Sequence, residues 1–267
     1  MKDGLNSNTT YCLVEDKSGI IWVGTNKGLN RFNGKSFENI TIVFKNNIMT
    51  PYYSNNSSPK ENSIWSMMVD KKGTLWLGTD DGVYCYNKKE FTRFLNNHYI
   101  VNKDNLQLKA IFSILETRDG SIWFTACQNE GVSKFDGKTL INVIPYKDAR
   151  RTDRVIEDKN GNLWFACVFK GVGFYDEKTF TQNIFDEKPN SGPSNILEDA
   201  KGNIWFDSQD GLSYYDGTKR KTFTKSDKIP NKYLIPVFSD KLGHIWFTSK
   251  GMGLYQYNKG KFISYSE

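Results

Sequence analysis

Histidine and cysteine are scarce in this chain of 267 residues: two His and four Cys. Cys12, Cys85, Cys127 and Cys167 form no C-x-x-C pair, which argues against a zinc site and leaves free thiols as the expectation. Cys127 and Cys167 each follow the Trp of neighbouring repeats, so a bridge between them is the alternative. No apolar run reaches the ~18 residues of a membrane helix. The opening residues, Met1-Lys2-Asp3-Gly4-Leu5-Asn6, lack the apolar stretch of a signal peptide. Helical periodicity of useful length is missing too. Nucleophile elbows, P-loops and Gly-rich dinucleotide fingerprints do not occur. The net charge is +6, but its lysines are spread along turn stretches such as Asp70-Lys71-Lys72-Gly73. That pattern reads as a solvated surface and not as a nucleic-acid face.

What is present is a repeat. An apolar residue precedes Trp22, Trp76, Trp123, Trp164, Trp205 and Trp246, at spacings of 54, 47, 41, 41 and 41 residues. Three positions before each Trp stands a Gly. Six before stands Asp16, Asp70, Asp158, Asp199 or Asp240, with Thr117 the one exception. Asp-x-x-Gly is turn chemistry: the carboxylate accepts a backbone N–H two residues on, and Gly takes positive φ to close a hairpin. Downstream, Gly-[Leu/Val]-x-x-[Phe/Tyr]-[Asp/Asn] begins at Gly28, Gly82, Gly131, Gly171, Gly211 and Gly253.

Each repeat therefore reads as four short strands, in the fourth repeat roughly 154–157, 162–166, 171–175 and 179–183. Six such units predict an all-β fold, a six-bladed β-propeller with four antiparallel strands per blade. The whole of 1–267 is one propeller domain with blades at roughly 8–60, 61–106, 107–148, 149–190, 191–230 and 231–267. The Trp and Phe/Tyr positions should fill the space between blades. Pairs such as Met67-Met68 and Val155-Ile156 suit a first strand packed on both faces. The repeats are in phase, so the expectation is that no blade mixes strands from both termini; a shifted frame is the alternative.

The stretch VEDKSGIIWVGTNKGLNRFNGKSF (14–37) and its copies resemble the two-component regulator propeller repeat. Trp22-Val23-Gly24-Thr25 and Trp76-Leu77-Gly78-Thr79 match its pattern best. Repeats three to six depart after the Trp, as in Phe165-Ala166-Cys167. The resemblance implies a sensory domain of the periplasm or cell exterior that recognises glycan-derived ligands and signals.

Subtracting the scaffold leaves two variable sets, both expected at one mouth of the central channel. The loops between strands two and three carry Gln128, Glu130, Phe169, Lys170 and Asp210. The approaches to strand one carry Trp65, Arg150, Arg151, Arg154, Asn195 and Tyr233. An aromatic ring with Arg, Gln and Asp around a polar funnel would suit a sugar or small anion. Arg150 and Arg151 also read as solvated loop residues, and Trp65 as inter-blade packing. The insertion 44–60, FKNNIMTPYYSNNSSPK, reads as a long loop and a further binding candidate.

A non-catalytic recognition domain is the favoured reading, binding an oligosaccharide, another small molecule or a protein, without cofactor. A metal-dependent enzyme is the first alternative. Six-bladed lactonase-type propellers hold a divalent ion at the channel mouth, and Glu130, Asp153, Asn195 and Asp210 are the acids and amides available. Propellers of the virginiamycin B lyase type rely on a catalytic His. Here His244 belongs to a strand-one/strand-two turn and His98 to an outer loop. A protein-interaction scaffold is the second alternative.

Overall fold

The structure, a computed structural model, describes residues 4–40, 43–44, 47–48, 63–127, 129–185, 192–208, 211–223, 227, 229, 234–249, 253–258 and 260–265. The fold is an all-β, six-bladed propeller. It divides into two compact units, Met1–Val143 with blades one to three and Ile144–Glu267 with blades four to six. Each blade is an antiparallel sheet of consecutive strands, so no blade mixes strands from both ends of the chain.

Blade four shows the pattern: Thr152–Glu157, Leu163–Cys167, Gly171–Tyr175 and Phe180–Thr181. The first strand starts two residues earlier than the sequence suggests and the last is cut to two residues. Blade three departs further. Its sheet has a fifth strand, Val101–Asn102, running parallel to Thr139–Ile144. The 47-residue spacing supplies the extra chain. Asn102 closes it by accepting from Leu106 N–H and donating to Leu106 C=O, both at 2.9 Å.

Within each unit the first strands of adjacent blades pack on one another, which makes the first strand innermost. The motif aromatics fill the layer between blades, as the repeat predicts. Trp22 meets Tyr86 edge-on at 5.5 Å, Trp164 meets Tyr215 at 5.9 Å, and Trp205 meets Tyr257 at 5.3 Å. A four-stranded sheet exposes two apolar faces, and only stacking buries both; a Trp lost from such a layer costs about 3–5 kcal/mol.

The repeat Asp does more than turn the chain. In blade four, one oxygen of Asp158 accepts from the backbone N–H of Asn160 and Asn162 at 2.8 and 3.0 Å, and the other accepts from Trp164 Nε1 at 2.9 Å. The same clamp joins Asp16 to Trp22, Asp70 to Trp76, Asp199 to Trp205 and Asp240 to Trp246, at 2.8–3.0 Å. Burial pushes the Asp158 carboxyl up, but the indole, Asn162 and backbone donors outweigh it and leave the pKa lowered. Blade three, with Thr117 at that position, moves the acid two residues on. Asp119 accepts from Thr117 Oγ1 and from Ser121 N and Oγ, and pairs with Lys134, whose ammonium lies 5.5 Å over the Trp123 ring.

A second repeated device ties blade to blade. Four positions before the Asp, a side chain reaches the next blade's first strand. Ser66 Oγ donates to Ile111 C=O at 2.9 Å, Cys12 Sγ to Ile64 C=O at 3.4 Å, and Asn195 Nδ2 to Pro236 C=O at 2.8 Å. The strut needs room. A Cβ on Gly78 would stand 2.3 Å from Ser66 Oγ and 2.6 Å from Ile111 C=O, which is why the position two after that Trp is Gly.

Candidate functional site

In each blade the start of strand one and the loop between strands two and three share one end. There the first strand carries a β-bulge. In five blades the register shifts, between Thr10 and Cys12, Ile64 and Ser66, Ile111 and Ser113, Thr152 and Arg154, and Pro236 and Phe238. A bulge sets one residue out of the ladder and re-aims its side chain. The residues set out are Tyr11, Trp65, Phe112, Asp153 and Val237.

In the first unit the three bulge residues are aromatic and form a ladder. Tyr11 stacks on Trp65 at 4.4 Å and 26°, and Phe112 tilts against its other side at 4.9 Å. Trp65 Nε1 donates to Asp80 Oδ1 at 2.7 Å, and the other oxygen of Asp80 accepts from Ser63 N–H at 3.3 Å. Trp65 thus has a ring contact from each neighbouring blade and its N–H taken. It holds the ladder rigid, while Tyr11 at its end keeps 40% of its surface open. Glu130 in the same unit is committed to chain geometry: its two oxygens accept from Gln107 and Leu108 N–H at 2.5 and 2.7 Å.

In blade four of the second unit the chemistry is charged, while the blade-six bulge sets out the exposed Val237. Arg151 forms a fork on Asp153, Nε to Oδ1 at 2.8 Å and Nη2 to Oδ2 at 3.0 Å. Burial raises the Asp153 pKa, and Arg151 offsets only part of that. Arg150 ends the one-turn helix Tyr146–Ala149 with φ of 23°, and its guanidinium lies 5.1 Å over the Phe169 ring. Thr152 Oγ1 is buried within reach of both Ala149 and Arg150 carbonyls, at 2.8 and 3.2 Å, and fixes that corner. Lys170 N–H donates to Cys167 C=O, and Lys170 is half-buried; Arg154 is exposed. The Cys167 thiol is fully buried and pushed up to about 12 by desolvation, so it is inert. All four cysteines are free thiols. Asn195 serves as the blade-five strut. Gln128, Asp210 and Tyr233 lie outside the described residues, as does most of the 44–60 insertion; at its start Val43–Phe44 pairs antiparallel with Asn47–Ile48.

Tyr11, Phe112 and Asp80 were not among the sequence candidates. The signal was available: five residues before the repeat Asp or Thr stand Tyr, Trp and Phe in three successive repeats.

Grooves also open between blades at the Asp–Trp clamps, of 660 Å³ between blades two and three, 620 Å³ between four and five, and 540 Å³ between five and six. Each is bounded by a clamp on one side and by the Gly of the next blade's outer turn, Gly137, Gly217 or Gly260. Their recurrence makes them a product of the repeat. His244 Nδ1 lies 2.9 Å from Asp240 Oδ2 in one of these turns, at the end opposite the bulges, and His98 is exposed. Among the described residues no group of three or more His, Cys, Asp or Glu could hold a metal ion.

The two component regulator propeller model matches residues 4–27 and 58–81. These are the repeats whose Trp-x-Gly-Thr segments carry the resemblance. No curated protein matches the chain. Among solved structures, the extracellular domain assigned to the hybrid two component system BT3049 of B. thetaiotaomicron is similar at a TM-score of 0.74 and 23% identity, over 96% of this chain and 34% of that one. Virginiamycin B lyase from Staphylococcus aureus, in a catalytically inactive form with quinupristin, gives 0.71 and 17%, over 98% and 86%. PorZ, a surface component of the type-IX secretion system of Porphyromonas gingivalis, gives 0.65 and 16%, over 98% and 42%. At these identities the likeness shows the fold. The chain spans about a third of the two component system domain it resembles.

Proposed function

We propose that this propeller is a non-catalytic recognition domain of the sensor type, which binds the ring of a glycan-derived ligand at the bulge end of blades one to three. The observation that carries the reading is the aromatic ladder. Three rings on three first strands are locked together, the end ring, Tyr11, keeps 40% of its surface open, and the exposed carboxylate of Asp80 bonds the central Trp65. A pyranose offers an apolar C–H face and a rim of hydroxyls, so it suits an aromatic face flanked by a hydrogen-bond acceptor. A ladder fixed before binding also lowers the ordering cost of association.

The two component regulator match and the extracellular sensor domain among the structural neighbours support the sensor reading. The test is a thermal-shift and intrinsic-fluorescence titration with a panel of neutral oligosaccharides, run on the native chain and on Tyr11→Ala. A sugar that raises the melting temperature of the native chain, with affinity at least tenfold weaker for Tyr11→Ala, is expected. Stabilisation by calcium with no response to any sugar would overturn the reading in favour of a metal-dependent enzyme.

A further inference from the structure

Arg31, Arg93, Arg151 and Arg220 each direct a guanidinium N–H at an acceptor of their own blade. Arg150 does not. Among the described residues its guanidinium meets no hydrogen-bond acceptor and no carboxylate, and it lies 5.1 Å over the Phe169 ring. A guanidinium stacked on a ring gives up its face and keeps its edge, where the N–H donors point. The backbone beneath it is strained. Arg150 has φ of 23° and ψ of −169°, a conformation that residues with a side chain rarely adopt and hold only where the surroundings impose it. They do so here. Arg150 N–H donates to Tyr146 C=O at 2.6 Å, and the flanking Ala149 and Thr152 are fully buried. The loop that carries Phe169 is tied to the same corner. Val168 N–H donates to Arg151 C=O at 3.0 Å, and Thr152 Oγ1 and Cys167 Sγ lie 3.4 Å apart. The local charge is one-sided as well. Residues 145–154 and 167–171 carry five basic side chains against two acidic ones, Asp148 and Asp153, and Arg151 already holds Asp153.

We infer that the Arg150 corner of blade four is a binding site for the carboxylate of a small acidic ligand. The neighbouring residue supplies the pattern. Arg151 takes the Asp153 carboxylate side-on, one N–H to each oxygen at 2.8 and 3.0 Å. Arg150 offers the same planar fork with its edge open. Phe169 fixes the guanidinium before any ligand arrives, so little side-chain freedom is left to lose on binding. A planar carboxylate fills such a fork with two parallel charge-assisted bonds. The surplus of positive charge in the corner draws an anion toward it. The strained backbone has a role in this account: it lifts the Arg150 side chain out between two buried residues and over the ring. The corner shares no residue with the aromatic ladder of blades one to three, so it stands whether or not that ladder takes a sugar.

The test is a thermal-shift titration at constant ionic strength with glucuronate, glucose and inorganic sulfate, run on the native chain, Arg150→Gly and Phe169→Leu. Glucuronate near saturation is expected to raise the native melting temperature by about 2–4 °C, and glucose and sulfate to leave it unchanged. Arg150→Gly releases the backbone strain, so without ligand it should melt no lower than the native chain, yet it should lose the glucuronate shift. Phe169→Leu keeps an apolar side chain but removes the ring face, and should weaken glucuronate several-fold. No glucuronate shift in the native chain, or a shift that survives in Arg150→Gly, would overturn the proposal. An equal shift with glucose would place the binding on the sugar ring, and a shift with sulfate alone would assign a tetrahedral anion; either result overturns it. A melting temperature of Arg150→Gly more than about 2 °C below the native value would show that the guanidinium holds the corner together, and would overturn it too.

Discussion

One backbone device serves different chemistries in blades one to three and in blade four, and in blade six it sets out Val237. In blades one to three the first-strand bulge sets out Tyr11, Trp65 and Phe112, and the rings lock onto one another. In blade four the same bulge sets out Asp153, which holds Arg151. The position two after the Trp varies as well: Gly24 and Gly78 in blades one and two, Ala166 and Asp207 in blades four and five, and Thr125 and Thr248 in blades three and six. Where the position is Gly, the strut from strand one fills the space. Asp207 instead turns its carboxylate back onto its own blade, accepting from Ser194 N and Oγ and from Asn195 N, and burial raises its pKa despite those bonds. Local donors thus receive the Asp207 carboxylate at the inner end of blade five.

The largest effect expected from breaking this difference is at Gly78. Gly78→Ala forces a methyl against Ser66 Oγ and a backbone carbonyl of blade three. Neither can yield without moving a first strand, so about 2–3 kcal/mol should be lost in urea melts. The reverse exchange, Ala166→Gly, should cost only about 1 kcal/mol, the price of a more flexible strand and one lost methyl. Equal losses at the two sites would show that the units are packed alike at this position.

A smaller and more diagnostic pair is Arg151→Ala and Trp65→Ala. Asp153 has a raised pKa in the folded chain, so the fold favours its protonated form, and the ionised form costs stability above the folded pKa. Removing Arg151 takes away the offset and raises that pKa further. Arg151→Ala should therefore lose about 1–2 kcal/mol at pH 7, less than for a fully buried pair because Arg151 is part-exposed, and recover as the pH falls toward 4. Trp65→Ala should lose about 2 kcal/mol through lost packing, by the same amount at both pH values. A pH-independent Arg151→Ala would remove the electrostatic account of the second unit.

The fold was legible because its determinants are local and repeated. A Trp, a Gly and an Asp at fixed offsets impose a turn and an inter-blade layer whatever surrounds them. The site was less legible, since it depends on what neighbouring blades bring together. Trp65 stands out in sequence as the one Trp beyond the template, yet nothing in sequence says that Tyr11 and Phe112 contact it from the blades on either side. Glu130 looked like a free acid in a variable loop and is in fact spent on two backbone donors 22 and 23 residues away. Asn195 likewise joins blade five to Pro236 across 41 residues. Long-range partners of this kind leave no periodic trace.

The smallest effects should fall where the units are alike. Asp16 and Asp158 make the same clamp, each accepting from backbone donors and from a Trp indole, and in both the pKa is lowered although burial alone would raise it. A depressed folded pKa means that the clamp stabilises the fold above the unfolded carboxylate pKa near 4, and that this contribution disappears as the pH falls through the folded value. Asp16→Asn and Asp158→Asn keep one side-chain oxygen for the turn but set an amide N–H against the indole N–H, so the indole bond is lost. Each should cost about 1 kcal/mol at pH 7 and progressively less in acid, measured by urea melts from pH 7 down to pH 3. Similar curves from the two variants would locate the difference between the units at the bulge and strut positions alone. A clearly larger loss in one unit would extend that difference to the turns, and the repeat would then have to be regarded as two diverged sets of three blades.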